Sequence, residues 1–249
     1  MKIAIVGYGK MGELIEKLAK EQNFEVTSTI DPFVSSAKFK ELNKESLFGA
    51  NVAIDFSVPE AVPYNIEKYI TYEINAVVGT TGWYEHLKEI QEKVEKSKIG
   101  VIWSGNFSLG VNIFFRMIRS AAELMDKFPI YDIMGFELHH KRKKDSPSGT
   151  MNMIGEILLD SVKRKKKIVT EKLDRKISEE EIHLASVRGG SIPGTHVIIF
   201  DSDVDTIELK HIARSREGFA VGALKAAEWI NGKRGFFSID DMMNEIIGG

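Results

Sequence analysis

A glycine-rich turn near the N-terminus constrains the fold of this chain more than any other feature. An apolar run over Lys2–Val6 leads directly into Gly7-Tyr8-Gly9-Lys10-Met11-Gly12, which fits the pattern G-x-G-x-x-G. Apolar residues at helical spacing follow over Glu13–Lys20. A strand, this turn and a helix in that order are typical of a dinucleotide-binding unit, because the glycines allow a tight turn and a close approach of the backbone to a pyrophosphate.

An acidic residue lies at the position where a dinucleotide-binding unit needs one. Asp31 ends the second predicted strand, Glu25–Ile30, and lies 19 positions after Gly12, close to the spacing of about 20 that brings a carboxylate to the adenosine ribose. The alternative is a turn aspartate before Pro32. Because a carboxylate repels a 2′-phosphate, the sequence favours NADH over NADPH, although Lys10 could contact a phosphate.

The first hundred residues alternate short apolar strands with helices, which predicts a doubly wound parallel sheet of the α/β class. Further strands are predicted over Asn51–Phe56, Ala76–Val78 and Gly100–Trp103, and further helices over Glu60–Tyr72 and Tyr84–Ser97. Two turns follow predicted strands, at the edge where such a sheet binds ligands. They are Gly79-Thr80-Thr81 and Ser104-Gly105-Asn106-Phe107, and the alternative for each is an ordinary connecting turn.

The pattern changes after Phe107. Several strands follow one another without helices between them, which predicts an inserted α+β domain. We therefore expect a Rossmann-like nucleotide-binding domain over residues 1–107 plus 217–249 and a second domain over residues 108–216. The charge run Lys163–Lys167 is predicted to end a helix, where cations interact favourably with the helix dipole.

A basic stretch from Glu137 to Thr150 carries two adjacent histidines, four consecutive cations and a Ser-Gly-Thr turn. Zinc binding is disfavoured because adjacent histidines do not easily ligate one ion and no cysteine is present. Nucleic-acid binding is disfavoured because no aromatic residues are interleaved. A solvated basic loop remains possible. The more specific interpretation is an anion site at a helix start, with a histidine as general acid.

Composition removes several other classes. The chain has 34 basic and 36 acidic residues and no cysteine. This excludes disulfides and a cysteine nucleophile, and the near-neutral charge is unlike that of a nucleic-acid-binding domain. The apolar runs are shorter than the 18 or so residues of a membrane span. We expect a cytoplasmic protein without a nucleic-acid or membrane partner.

The residues from Glu137 to Thr150 resemble the signature E-x-H-H-x-x-K-x-D-A-P-S-G-T of the 4-hydroxy-tetrahydrodipicolinate (dihydrodipicolinate) reductases, with Ser146 in place of alanine. Other segments of the chain are similar to that family in the same order. They are Asp55-Phe56-Ser57, Gly79-Thr80-Thr81-Gly82, Asn106-Phe107-Ser108, Gly110-Val111-Asn112, Val187-Arg188-Gly189-Gly190 with His196, and Ser215-Arg216.

The resemblance implies an NAD(P)H-dependent reductase of lysine and diaminopimelate biosynthesis that needs no metal. It implies that His139 is the general acid and that Lys143 supplies a proton or holds a carboxylate. The residues implied to bind the dicarboxylate substrate are His140, Ser148, Gly149 and Thr150. The turns Gly79–Thr81 and Ser104–Phe107 are implied to line the nicotinamide side. The resemblance also implies a homotetramer built through the sheet of the second domain.

Two alternatives remain. One is another nicotinamide-dependent dehydrogenase of amino-acid metabolism, although the His-His-to-Thr stretch disfavours a homoserine dehydrogenase. The other is a non-catalytic NAD-sensing protein, which needs no general acid.

Overall fold

The computed structural model describes residues 1–248, and it divides the chain into two compact units. One comprises Met1–Leu109 together with the segment from Glu217 onwards, and the other is Gly110–Arg216. The sequence prediction places the first division at residue 107 and the second at residue 216.

Residues 1–248 form eleven strands and seven α-helices. In chain order they are β1 (Lys2–Val6), α1 (Lys10–Glu21), β2 (Glu25–Ile30), β3 (Val52–Asp55), α2 (Val62–Thr71), β4 (Asn75–Val78), α3 (Leu87–Glu95), β5 (Gly100–Trp103), α4 (Leu109–Met125), β6 (Asp132–His139), α5 (Gly149–Ser161), β7 (Lys167–Val169), β8 (Glu181–Arg188), β9 (Gly194–Asp201), β10 (Thr206–Ala213), α6 (Glu217–Ile230), β11 (Gly235–Ser238) and α7 (Ile239–Ile247).

The first unit contains a six-stranded sheet of order β11-β5-β4-β3-β1-β2, and every neighbouring pair is parallel. The predicted doubly wound, Rossmann-like sheet is therefore confirmed. The order reverses between β1 and β3, and in such sheets ligands bind at the carboxyl ends of the strands beside that reversal.

Alternation of side chains along β1 explains why this sheet is covered on both faces. Ile3 and Ile5 belong to a core cluster with residues of α1, α6 and α7. Ala4 and Val6 belong to a second cluster with residues of α2 and α3. Both faces of a strand need apolar residues in such an arrangement, which accounts for the continuous apolar runs in the sequence.

The second unit contains a mixed five-stranded sheet of order β10-β9-β6-β8-β7. Strand β6 pairs in parallel with β8 and antiparallel with β9. Helices α4 and α5 pack on one face through a cluster that includes Phe114, Ile154 and Ile198. The opposite face leaves the side chains of Met134, Val187 and Ile212 exposed. The predicted α+β insertion is confirmed.

Three local features differ from the sequence prediction. Strands β7 and β11 were not predicted. Helix α5 ends at Ser161, before the charge run Lys163–Lys167, so the prediction that this run ends the helix is corrected. Lys165 is only 3% exposed, because its ammonium group donates to Asp132 and to the carbonyl oxygens of Glu179 and Glu181.

Among residues 1–248, the structure has no helix that is both long enough and apolar enough to cross a bilayer.

Candidate active site

The glycine-rich turn joins β1 to α1 and cannot accept side chains at two of its glycines. Gly7 has a φ of +82°, and a Cβ atom there would lie 2.4 Å from the carbonyl oxygen of Phe56. A Cβ atom at Gly12 would lie 2.4 Å from the carbonyl oxygen of Gly7. Gly9 caps α1 without a side-chain hydrogen bond, and the space beside it is open. The N-terminus of α1 therefore leaves backbone N–H groups near an open site, as pyrophosphate binding requires.

Asp31 lies beside this turn at the end of β2. One carboxylate oxygen accepts from the backbone N–H of Tyr8 at 2.9 Å, and the other accepts from Phe33 and Val34 at 2.8 and 3.0 Å. Partial burial raises the pKa of Asp31, but these three donors and the charge of Lys40 outweigh burial, so the pKa lies below its usual value. The carboxylate is ionised at neutral pH, and it also holds the local turn.

A cavity of about 490 Å³ opens over the turn and Asp31. Its wall includes Gly7, Gly9 and Asp31 together with three residues that the sequence analysis did not select, Phe33, Lys40 and Tyr64. The ring of Phe33 is 91% exposed.

The other predicted residues of the turn lie outside this wall. The Tyr8 hydroxyl donates to Glu16, and this hydrogen bond is the main reason that the pKa of Tyr8 rises to about 12. Met11 packs against the core cluster beneath α1. Lys10 is exposed at the start of α1.

The turns after β4 and β5 lie next to each other. A Cβ atom at Gly105 would lie 2.9 Å from the Tyr84 hydroxyl and 3.8 Å from a methyl carbon of Thr81. Ser104 and Asn106 bond to each other through the Ser104 hydroxyl at 2.9 Å. The structure thus brings the two predicted nicotinamide-side turns to one edge of the sheet.

Two aromatic rings pack beside these turns. Phe56 fills the space beside Gly79, where a Cβ atom would lie 2.2 Å from the ring. Phe107 is buried, and its ring lies 6.5 Å from that of Phe56.

The buried carboxylate of Asp55 ties the turns after β3 and β4 together. It accepts from the Tyr69 hydroxyl at 2.7 Å, from the Asn65 amide at 2.9 Å and from the backbone N–H of Ser57 at 3.0 Å. The Thr80 hydroxyl lies 3.4 Å away. Burial and the neighbouring carboxylate raise the pKa of Tyr69 well above its usual value, so the phenol remains a donor.

In the second unit, the predicted catalytic stretch begins at the end of β6 and leads into α5. His139 is the last residue of β6. Ser148 caps α5, and its hydroxyl accepts from the backbone N–H of Met151 at 3.1 Å. Gly149 and Thr150 therefore form the first turn of the helix, where the dipole favours an anion.

His139 is 6% exposed and lies in a buried polar cluster. Its Nδ1 atom is 3.4 Å from a carboxylate oxygen of Glu137. The Nε2 atom of His196 is 3.4 Å from the same oxygen, and the two imidazole rings meet edge to face with centroids 5.2 Å apart. A Cβ atom at Gly194 would lie 3.1 Å from Nε2 of His139, so glycine leaves room for the ring.

Burial and neighbouring cations keep His139 neutral in the unliganded protein. The pKa of His139 is lowered to about 4 by the sum of several causes. Desolvation is the largest, the charge of Glu137 opposes it, and His196, Lys143 and Arg188 also lower the pKa. An anionic ligand that neutralises the cations would raise the pKa of His139 toward the range useful for a general acid.

Lys143 forms an ion pair with Asp145, with 2.8 Å between Nζ and the carboxylate. The backbone N–H of Lys143 bonds to the carbonyl oxygen of His140 in a turn, and the backbone N–H of His140 bonds to Ile192. His139, His140, Lys143 and Ser148 are therefore gathered at one end of the second sheet.

Sequence reasoning assigned no role to Glu137, Ser186, Arg188 or His196, although each lies in or beside a segment that carries the family resemblance. The signal that connects them is strand register. Glu137 pairs with Ser186 on β8 and with His196 on β9, and His139 pairs with Arg188.

Glu137, His139 and His196 are also a group that could hold a metal, since their ligand atoms lie within 4.8 Å of one another. However, Arg188 donates to the Glu137 carboxylate at 2.7 Å. A guanidinium group already neutralises this carboxylate, which disfavours a metal ion there.

Comparisons with known proteins agree with this geometry. The family described as dihydrodipicolinate reductase, N-terminus, matches residues 1–107, and the family described as dihydrodipicolinate reductase, C-terminus, matches residues 110–243. The 4-hydroxy-tetrahydrodipicolinate reductase of Christiangramia forsetii is 36% identical over 246 residues, which cover 99% of both chains. That of Caldanaerobacter subterraneus is also 36% identical and covers 95% of both.

Solved structures support the fold. Dihydrodipicolinate reductase from Paenisporosarcina, determined with dipicolinate bound, has a TM-score of 0.77 at 24% identity and covers 96% of this chain and 97% of its own. A probable dehydrogenase from Thermotoga maritima has a TM-score of 0.62 at 9% identity and covers 97% of this chain and 92% of its own.

The fold and the site define a dinucleotide-dependent oxidoreductase with an inserted α+β domain. The chain belongs to the dihydrodipicolinate reductase family, whose members act in lysine and diaminopimelate biosynthesis.

Proposed function

We propose that this enzyme reduces 4-hydroxy-tetrahydrodipicolinate, by way of dihydrodipicolinate, to tetrahydrodipicolinate. The observation that carries the proposal is the placement of a buried histidine, His139, beside the start of α5. A proton donor and an anion-binding helix terminus in one place suit a ring that carries carboxylates. The dipicolinate bound to the Paenisporosarcina enzyme is such a dicarboxylate.

The substrate carboxylates bind at the first turn of α5. The backbone N–H groups of Gly149 and Thr150 lie at this helix terminus, and His140 and Lys143 add positive or polar contacts. Ser148 holds the turn, because its own hydroxyl and backbone N–H donate to Glu137. Lys143 must leave Asp145 to reach a carboxylate. The Asp145 side chain is 56% exposed and that of Lys143 is 21% exposed. Ion pairs close to the surface contribute little, so this exchange costs little free energy.

His139 supplies the proton of the reduction. The nicotinamide cofactor supplies the hydride, which goes to the unsaturated ring carbon that the ring imine and carboxylates make electrophilic. Binding of the dianion offsets the cations around His139, so its protonated form gains stability when substrate is present. His139 then donates its proton to the neighbouring ring carbon, and Lys143 holds a carboxylate or supplies a second proton.

The proposed cofactor is NADH in preference to NADPH, with no metal. The carboxylate of Asp31 suits a ribose 2′-hydroxyl and opposes a 2′-phosphate. Lys40 lies in the same wall, and its positive charge could bind a 2′-phosphate. We therefore expect the enzyme to accept NADPH as well, but more weakly than NADH. Dialysis against a chelator should leave turnover unchanged.

A coupled assay tests the activity. Pyruvate and aspartate semialdehyde are condensed by dihydrodipicolinate synthase, and the purified protein is added with NADH or NADPH in parallel. Oxidation of the cofactor only when the synthase is present supports the proposal. Absence of oxidation, while another reductase of the family is active alongside, would favour a different dehydrogenase or an NAD-sensing protein.

We also propose a cytoplasmic homotetramer built through the second sheet. Two rows of paired residues cross the face opposite α4 and α5. One row is Val187, Leu138, Thr195 and Ile212, and the other is His183, Met134, Ile199 and Glu208. The side chains of Val187 and Ile212 are 53% and 58% exposed, and exposed apolar patches of this kind mark interfaces.

Light scattering coupled to gel filtration tests the assembly. Val187→Lys should convert a tetramer to smaller species, whereas Lys225→Ala on α6 of the first unit should not. A monomeric protein, or a tetramer that is insensitive to Val187→Lys, contradicts this assembly.

A further inference from the structure

We infer that Glu137 is a positioning residue of this active site. Its buried carboxylate holds the Ser148 turn that begins α5, and its charge, 3.4 Å from Nδ1, acts on the imidazole ring of His139. The inference rests on the proposed function, because it concerns the proton donor and the anion site of that reaction.

Strand register brings polar groups to Glu137 from the two strands on either side of β6. Ser186 on β8 and His196 on β9 are its direct neighbours across the sheet. The Ser186 hydroxyl donates to the carboxylate at 2.8 Å, and Arg188 on β8 donates at 2.7 Å. All these side chains project from the sheet face that α5 covers, so a residue on the middle strand can reach each of them.

Ser148 binds the same carboxylate twice. Its backbone N–H donates to one oxygen at 2.9 Å, and its hydroxyl donates to the other through a short hydrogen bond. The same hydroxyl accepts from Met151 and so caps α5. Glu137 therefore determines where the helix begins, and with it the position of Gly149 and Thr150.

The carboxylate remains ionised and is not itself the acid. Burial raises the pKa of Glu137, but its hydrogen-bond donors together outweigh burial and hold the pKa well below its usual range. The side chain has no exposed surface, so it cannot contact a bound substrate. It acts through its neighbours.

Glu137 has a specific effect on His139. The charged or titratable groups that face this imidazole are Glu137 on β6, Arg188 on β8, His196 on β9 and Lys143 in the following loop. Of these, Glu137 raises the pKa of His139 and the others lower it. Nδ1 of His139 is buried without a hydrogen-bond partner among the described residues and lies 3.4 Å from the Glu137 carboxylate. The negative charge there favours a proton on Nδ1, which leaves Nε2 for exchange with the substrate.

The test is Glu137→Gln, which keeps the shape of the side chain and removes its charge. Activity that depends on protonated His139 falls as the pH rises through the pKa of that histidine in the substrate complex. Loss of the neighbouring negative charge lowers this pKa. The basic limb of the plot of kcat against pH should therefore move to lower pH by about one unit. Glu156→Gln, an exposed carboxylate on α5, is the matched control and should leave the limb in place.

A second readout does not depend on turnover. Long-range ¹H–¹⁵N NMR spectra at neutral pH report which ring nitrogen of His139 carries the proton, with the signal assigned by its loss in His139→Gln. The wild-type protein should show the Nδ1–H tautomer, and Glu137→Gln should lose it. A folded Glu137→Gln protein with an unchanged tautomer and an unchanged kcat limb overturns the inference. If the wild-type protein fails to reduce the substrate, the proposed function fails, but the tautomer still decides the role of Glu137.

Arg188→Gln should shift the basic limb in the opposite direction, and the Arg188 side chain is less buried than that of Glu137. It removes a cation that lowers the pKa of His139, so the kcat limb should move to higher pH by roughly half a unit to one unit. If Glu137→Gln does not fold, this variant decides the matter, because an unmoved limb would show that the Glu137–Arg188 pair does not act on His139.

Discussion

The carboxylate of Asp31 accepts a hydrogen bond from the backbone N–H of Tyr8, at 2.9 Å, between the ends of two neighbouring strands. One acidic side chain therefore both supports the glycine-rich turn and faces the cavity above it. Its other oxygen is occupied by Phe33 and Val34. The sequence offered two interpretations of this residue, a ribose ligand or a turn aspartate, and its position and hydrogen bonds are compatible with both at once.

Replacement of Asp31 by alanine should weaken NADH binding more than NADPH binding. A charge-assisted hydrogen bond to a 2′-hydroxyl is lost with NADH, whereas loss of the carboxylate also relieves repulsion of a 2′-phosphate. The expected loss of NADH affinity is about tenfold, and that of NADPH is severalfold smaller. Quenching of tryptophan fluorescence or calorimetry measures both affinities.

Lys40→Ala is the matched control for this change, because Lys40 lies in the same cavity wall with the opposite charge. It should weaken NADPH more than NADH. Equal losses for the two cofactors in Asp31→Ala would remove Asp31 as the ribose ligand and leave only its support of the turn.

Replacement of His139 by glutamine should lower kcat by roughly 10²- to 10⁴-fold with little change in KM, because proton donation is an interaction of the transition state. Steady-state kinetics in the coupled assay measure the change. His86→Gln, at a half-buried position before α3, should behave as wild type. An unchanged kcat in His139→Gln would exclude this histidine as the acid.

The extent to which the sequence predicts this molecule depends on how local each signal is. Strands β1, β4 and β5 contain apolar runs bounded by glycine or polar residues, so their positions follow from the pattern alone. Strand β11 is missed because it is a half-buried strand at the sheet edge with only two apolar residues, Phe236 and Phe237, between Gly235 and Ser238. Strand β7 is missed because it begins within the charge run.

The candidate site likewise has one part with a local sequence signal and one part without. The glycine-rich turn and the residues from His139 to Thr150 are contiguous, so the sequence alone draws attention to them. The cluster around Glu137 is not contiguous, since Ser186 and Arg188 lie 49 and 51 residues away. Only the register of three strands makes them neighbours, and that register joins strands that are distant in the sequence.

Replacement of Asp145 by asparagine should lower KM about twofold and leave kcat nearly unchanged. In the unliganded protein the ammonium group of Lys143 is paired with Asp145 at 2.8 Å, and a substrate carboxylate has to displace that partner. An exposed ion pair of this kind contributes little, so the effect is small. Lys143→Ala is the contrasting variant and should both raise KM and lower kcat. A higher KM in Asp145→Asn would indicate that Asp145 helps to hold Lys143 in its productive position.

Replacement of Lys165 by methionine should destabilise the second unit without changing the site. The ammonium group is buried and donates to Asp132 at 2.5 Å and to the carbonyl oxygens of Glu179 and Glu181 at 2.7 and 2.9 Å. It thereby connects the beginning of β6 to the beginning of β8. Methionine fills the space but leaves these acceptors without their donor, which should cost roughly 3 kcal/mol of unfolding free energy.

For a chain of this size, that loss corresponds to a decrease in Tm of roughly 6–12 °C, which calorimetry or circular dichroism can measure. Lys166→Met is the matched control, because Lys166 is the next residue and is exposed; it should change Tm little. The kcat of Lys165→Met at low temperature should stay near that of the wild type, because the cluster around His139 lies at the other end of β6. A Tm that is unchanged in Lys165→Met would show that the buried ammonium group is dispensable for stability.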